Sequence, residues 1–115
     1  MRKTLFSLLA GCSLMGCYYD VEEELYPGAC NTLDVTYSGT VAPIMAFSCA
    51  VAGCHVPGGT GPGDLGTYPG VKAAADNGTL RAAVIDLKVM PPSGPLSPCQ
   101  QQQIDQWLQA GAPNN

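Results

Sequence analysis

The sequence predicts a small all-α domain with long glycine- and proline-rich loops. Three observations carry that expectation. The stretch SPCQQQQIDQWLQAG places Ile104, Trp107 and Leu108 at i, i+3 and i+4, a stripe that would face a core. The stretch VAPIMAFSCAVAGC has Pro43 near its start, where a helix tolerates the missing N–H, and then the apolar Ile44, Met45 and Phe47. Glycine and proline, 14 and 10 residues of 115, gather in the segments between, so the regular elements must be short.

Taken in order, the chain opens with Arg2 and Lys3, followed by the apolar run LFSLLAGCSLMGC. A basic start, a short apolar stretch and small residues before a break read as a secretory signal peptide. A cysteine at the break marks a bacterial lipoprotein signal. Cys12 and Cys17 both qualify, but cleavage before Cys12 leaves a very short apolar segment. Residues 1–16 are therefore expected to be removed and Cys17 to be lipidated. The plainer readings are a secreted protein without lipid or a short membrane anchor. No other segment is apolar enough to span a membrane, which takes roughly 20 apolar residues.

Residues 17–29 include YYDVEEELYPG, an acidic stretch without helical periodicity. It reads as a tether, with Glu22, Glu23 and Glu24 a solvated cluster. Residues 30–115 form one small domain. Its first helix is expected from about Val41 to Ala52. The loop HVPGGTGPGDLGTYPG follows, His55 to Gly70. VKAAADNG is a short helix closed by Asn77-Gly78, and TLRAAVI a second one that Thr79 would cap. DLKVMPPSGPLSP is again a loop. The last helix takes Ser97 as N-cap, Pro98 as its first residue and Gly111 as its stop. A domain of this size with so little regular structure usually needs a staple or a cofactor in its core.

Charge narrows the function. From Cys17 onward Lys72, Arg81 and Lys88 face nine carboxylates, a formal charge of −6. Such a chain should avoid nucleic acid, and it has no basic stripe. Enzyme readings are thin: there is no Ser-His-Asp order, no phosphate-binding glycine loop and no second histidine for proton transfer.

The cysteines carry the sharper signal. Outside the cytoplasm Cys30, Cys49, Cys54 and Cys99 meet an oxidising compartment. Four cysteines allow two disulfides in three connectivities, which would make a cofactor-free, stapled binding module. Yet CAVAGCH holds Cys49, Cys54 and the one histidine, His55. Covalent haem attachment needs two thiols and a histidine beside the second, as in C-x-x-C-H. Here the spacing is C-x4-C-H. Positions i and i+5 do not share a helical face, so AVAG must bulge or unwind, which Gly53 permits. Zinc is a third reading, for it takes about four N, S or O ligands. Among methionines, Met45 lies on the same helix as Cys49, whereas Met90 opens a proline-pinned loop 35 residues after His55 and suits a distal ligand.

The order VTYSGTVAPIMAFSC, GCH, GGTGPGDLGTYPGVKAAADNGTL and MPPSGPLSPCQQQQIDQWLQAGAPNN resembles the small cytochrome-c-like domains of bacterial envelope lipoproteins, from about Cys30 to Asn115. The most specific parts are the Cys-His pair, the Met-Pro loop and the W-x-x-x-G-A-P-N-N ending. The resemblance implies a monohaem, class I-type fold. Haem c would be attached at Cys49 and Cys54, with His55 as proximal and Met90 as distal iron ligand. Many members of that family have the two-residue spacing. In class I cytochromes c the first and last helices cross, so the resemblance also implies a Cys30–Cys99 disulfide tying them. The expected role is then one-electron transfer to redox partner proteins, with no catalytic residues and no small-molecule substrate. The protein would be lipid-anchored in the periplasm or at the cell surface, on the outer membrane. Its net charge favours basic partner surfaces. Trp107 is expected in the core rather than beside a propionate; Tyr68 and Arg81 could each meet a haem propionate, but neither is assigned that role.

Overall fold

The computed structural model describes residues 30–115. The expected signal peptide (1–16), lipidation at Cys17 and acidic tether (17–29) lie outside the described residues. Among the described residues every regular element is helical.

The first element begins as a π-helical turn, Tyr37–Val41, and continues as α1, Ala42–Ser48. Thr36 starts it: its hydroxyl accepts from the Gly39 N–H, and its carbonyl accepts from both Thr40 and Val41. Pro43, which has no N–H to give, falls in the first turn of α1. The helix thus opens earlier than its expected start at Val41 and stops at Ser48 rather than Ala52. The Cys49 and Ala50 N–H groups both bond the Met45 carbonyl, at 2.9 and 2.8 Å, which closes the ladder. Gly53 then takes φ 82°, a left-handed conformation no helix can continue through.

Helix α2 spans Tyr68–Asp76, with Pro69 in its first turn in place of the expected start at Val71. It ends at Asn77 and left-handed Gly78, as the sequence suggests. Helix α3, Thr79–Arg81, runs into a second π-helical turn, Ala82–Asp86. Its N-cap is Gly78, which brings no side chain, rather than Thr79. The Asn77 Oδ1 accepts from the Thr79 N–H at 2.9 Å and from its hydroxyl at 2.6 Å.

Helix α4, Pro98–Gln109, is the longest element. Ser97 Oγ accepts from the Gln100 N–H and Gln100 Oε1 accepts from the Ser97 N–H, a reciprocal capping box. At the other end Ala110 closes the helix and Gly111 turns left-handed, φ 90°. The Ile104 and Trp107 stripe is wholly buried. Helix α4 lies against both π-helical turns, so the first and last parts of the domain meet.

The core gathers around that meeting: Val41, Met45, Val71, Val84, Ile104 and Trp107 are its fully buried side chains. Tyr37 stacks tilted against Trp107, ring centroids 5.8 Å apart, and edge-on to Tyr68 at 4.9 Å. The GAPNN ending closes over this cluster. Trp107 Nε1 donates to the Pro113 carbonyl at 2.9 Å, and the Tyr68 hydroxyl donates to the Ala112 carbonyl at 3.0 Å. Asn115 accepts from the Tyr37 and Ser38 N–H groups, both at 2.8 Å, where the first helical element starts. The ending is therefore a structural strap. Cys30 and Cys99 are joined by a disulfide, Cα atoms 5.5 Å apart, which fastens the start of the domain to the first turn of α4. Cys49 and Cys54 remain free thiols.

Candidate functional site

Between Ser48 and Leu65 the chain folds back on itself rather than crossing the surface. The His55 N–H bonds the Cys49 carbonyl at 3.2 Å, and the Gly61 N–H returns to the Cys54 carbonyl at 3.2 Å. The Leu65 N–H bonds the His55 carbonyl at 2.9 Å. These bonds unwind AVAG, as the C-x4-C-H spacing requires, and fix the two cysteines and the histidine in one compact loop.

One contact sets the chemistry of that loop. His55 Nδ1 lies 2.8 Å from the Pro62 carbonyl oxygen. A carbonyl can only accept, so Nδ1 carries the hydrogen and the neutral ring keeps its lone pair on Nε2. That is the arrangement of a metal-ligating histidine, whose other nitrogen is held by a backbone carbonyl. Gly61 makes room for it. A Cβ at Gly61 would stand 2.7 Å from both Cε1 and Nδ1 of the ring, closer than real Cβ atoms come. Gly59 is equally confined, for its Cβ would meet the Cys54 carbonyl oxygen at 1.9 Å.

Cys49, Cys54, His55 and Met90 all line one cleft, with a cavity volume of about 210 Å³ and an open mouth. The two thiols and the imidazole come from the loop after α1. Ala74, Leu80 and Val84 form an apolar wall from α2, α3 and the second π-helical turn. Met90 and Pro91 close the third side. The Val89 and Met90 N–H groups both bond the Ala83 carbonyl, at 2.9 and 3.2 Å, which pins the Met-Pro loop to that wall. Cys49 is buried, and burial, with the nearby Cys54, raises its thiol pKa above the ordinary value. Among the described residues no charged side chain lines the cleft.

The other methionine of the described residues, Met45, is 1% exposed in the core and takes no part in the cleft. Tyr68 and Arg81 do not line it either. The Tyr68 hydroxyl is committed to Ala112, and Arg81 pairs with Asp105 of α4. Among the described residues no group of three or more His, Cys, Asp or Glu side chains is placed to hold one metal ion. Two free thiols, one imidazole held by a backbone carbonyl and one thioether share the cleft, on apolar walls. Those four side chains are legible in the sequence as chemically eligible. The residues that orient and wall them, Gly61, Pro62, Leu80 and Val84, are not, although the glycine-rich run after His55 is a visible sign of a close backbone approach.

Among the described residues no helix is long and apolar enough to cross a membrane. Comparison with protein-family models, with curated proteins and with solved structures finds no match to this chain.

Proposed function

We propose that the protein is a c-type cytochrome: an exported, lipid-anchored electron carrier with one covalent haem. The observation that carries this reading is that Cys49, Cys54, His55 and Met90 line one uncharged cleft, with His55 Nδ1 already engaged by Pro62. Cys49 and Cys54 would hold haem c through thioethers, His55 Nε2 would be the proximal ligand and the Met90 sulfur the distal one. The bound haem supplies one-electron chemistry at iron.

The protein's own residues do the rest. Pro62 and Gly61 hold the imidazole at one orientation, so little rearrangement is needed when charge changes at the site. Leu80, Val84 and Leu65 exclude water, and with Met90 as a ligand a high potential is favoured. With His55 and Met90 both holding the iron, no position would be left open for a substrate. The protein is thus read as a carrier rather than an enzyme. The class I cytochrome resemblance is supported by the way α4 packs against the start of the first helical element, although no solved structure matches. Export rests on the sequence of residues 1–17 and on the Cys30–Cys99 disulfide, which suits an oxidising compartment.

A cofactor-free stapled module is the competing reading. It would use all four cysteines as two bridges, whereas Cys49 and Cys54 are free. A haem stain on a denaturing gel separates the two. The protein is expressed with its signal in a host with cytochrome c maturation machinery, beside a His55→Ala control. A stained band that survives denaturation and is lost in the control supports the cytochrome. An unstained but folded protein overturns it.

A further inference from the structure

Asn77 is the one asparagine of the chain that precedes a glycine; Asn31 is followed by Thr32 and Asn114 by Asn115. An asparagine carboxamide is open to attack by the backbone nitrogen of the next residue. A glycine there has no Cβ to crowd the approach. A Cβ built at Gly78 would meet nothing within 4 Å, so that side of the turn is open. Asn77, Gly78 and Thr79 are all exposed.

The turn half-prepares this attack. Asn77 Oδ1 accepts from the Thr79 N–H at 2.9 Å and from its hydroxyl at 2.6 Å. Two donors on that oxygen draw charge from Cγ and oppose the negative charge that grows on Oδ1 when a nucleophile adds. The backbone holds the reaction back. Asn77 has ψ −1°, and the Gly78 N–H donates to the Ala75 carbonyl at 3.2 Å. The nitrogen must leave that carbonyl and turn toward Cγ. This is a local opening of an exposed turn, with left-handed Gly78 as its pivot.

We propose that Asn77 is a self-modification site, at which the folded chain converts to isoaspartate and thereby loosens one wall of the cleft. The Gly78 nitrogen gives its proton to solvent hydroxide and bonds to Asn77 Cγ. The Cγ–Nδ2 bond breaks and ammonia leaves. Water then opens the resulting succinimide ring at either carbonyl, giving aspartate or isoaspartate. One water is consumed and one ammonia released, with no oxidant or reductant. Isoaspartate routes the chain through the former side chain and adds one backbone atom between α2 and α3. The Thr79 N–H then loses its acceptor, and the Gly78 carbonyl, which accepts from the Ala82 N–H at 3.1 Å, is displaced. Ala74, Thr79, Leu80 and Ala83, on either side of this turn, line the cleft. The inference concerns the chain itself and does not rest on the cytochrome reading.

The test incubates the folded full-length protein in mildly alkaline buffer, beside the same protein in urea. Peptide mapping follows amide loss and isoaspartate at each asparagine. The expected result is conversion confined to Asn77, at least about tenfold slower in the folded chain than in urea because the turn must first open. In the isoaspartate fraction, separated by its added charge, amide hydrogen exchange of residues 79–86 should rise roughly tenfold while that of residues 98–109 is unchanged. Freshly made Asn77→Asp keeps the acceptor and the backbone length, so it should exchange like the parent. No conversion in the folded chain while the urea sample converts fully overturns the proposal, because the turn then stays shut. So does conversion at Asn31 or Asn114 as fast as at Asn77. Exchange that is unchanged in the isoaspartate form, or raised equally by Asn77→Asp, overturns the loosening of the wall by backbone extension. Each readout is the same with or without haem, so neither reading falls with the other.

Discussion

His55 Nδ1 lies 2.8 Å from the Pro62 carbonyl, and the ring rests so close to Gly61 that no Cβ fits between them. Gly61→Ala should therefore displace the imidazole while leaving both thiols in place. We expect covalent haem to be retained at Cys49 and Cys54, with an altered spectrum as the proximal ligand is disturbed. Crowding of this kind should also cost about 1–3 kcal/mol in urea unfolding. A variant with the parent's spectrum and stability would show that the ring does not sit against Gly61.

Met90→Ala removes the thioether from the cleft but no covalent attachment point. The haem stain should persist, the reduced spectrum should change and the reduction potential should fall, because methionine ligation raises it. Unchanged spectrum and potential would exclude Met90 as the ligand.

The Cys30–Cys99 bridge closes a sequence separation of 69 residues. On the chain-entropy account such a crosslink stabilises by about 4 kcal/mol. Replacing both cysteines with serine should lower the urea midpoint accordingly. Non-reduced peptide mapping should recover the Cys30 and Cys99 peptides as one species, and a Cys49–Cys99 peptide would contradict both the bridge and the haem site.

Burial raises the Cys49 thiol pKa, so the folded haem-free chain holds that proton more tightly than the unfolded chain does. The stabilisation is complete below the ordinary thiol range and is lost as pH rises through the folded-state value. The urea midpoint of haem-free protein should thus fall on going above about pH 9. Cys49→Ala should flatten that fall. At neutral pH, Cys49 should alkylate more slowly than Cys54. Equal alkylation rates would mean that Cys49 is not buried.

Several parts of this arrangement were legible in the chain. Ser97, Pro98 and Gly111 bound α4 as read, since caps depend on a few adjacent residues. The sequence places Trp107 in the core, where it is fully buried, but carries no sign of its acceptor, the Pro113 carbonyl. The ends of α1 were misplaced on both sides. Its start depends on Thr36 and its stop on a loop that returns from Gly61 to Cys54, neither of which leaves a periodic signal. Arg81 and Tyr68 looked available for a ligand, yet each is held by a residue more than 20 positions away, Asp105 and Ala112.

By itself the sequence determined the helical class of the described residues, the capped final helix and the set Cys49, Cys54, His55 and Met90 as chemically eligible. Local patterns suffice for these, because capping, periodicity and thiol or imidazole chemistry reside in neighbouring residues. Tertiary structure alone decided that the four line one cleft and that Nε2 rather than Nδ1 of His55 keeps the lone pair. Those facts depend on contacts between segments far apart in the chain, such as the Met90 loop pinned to Ala83 and α4 laid across the start of the first helical element. Such contacts form where burial and hydrogen bonding together outweigh the entropy of ordering the loops, and no single stretch of sequence encodes that balance.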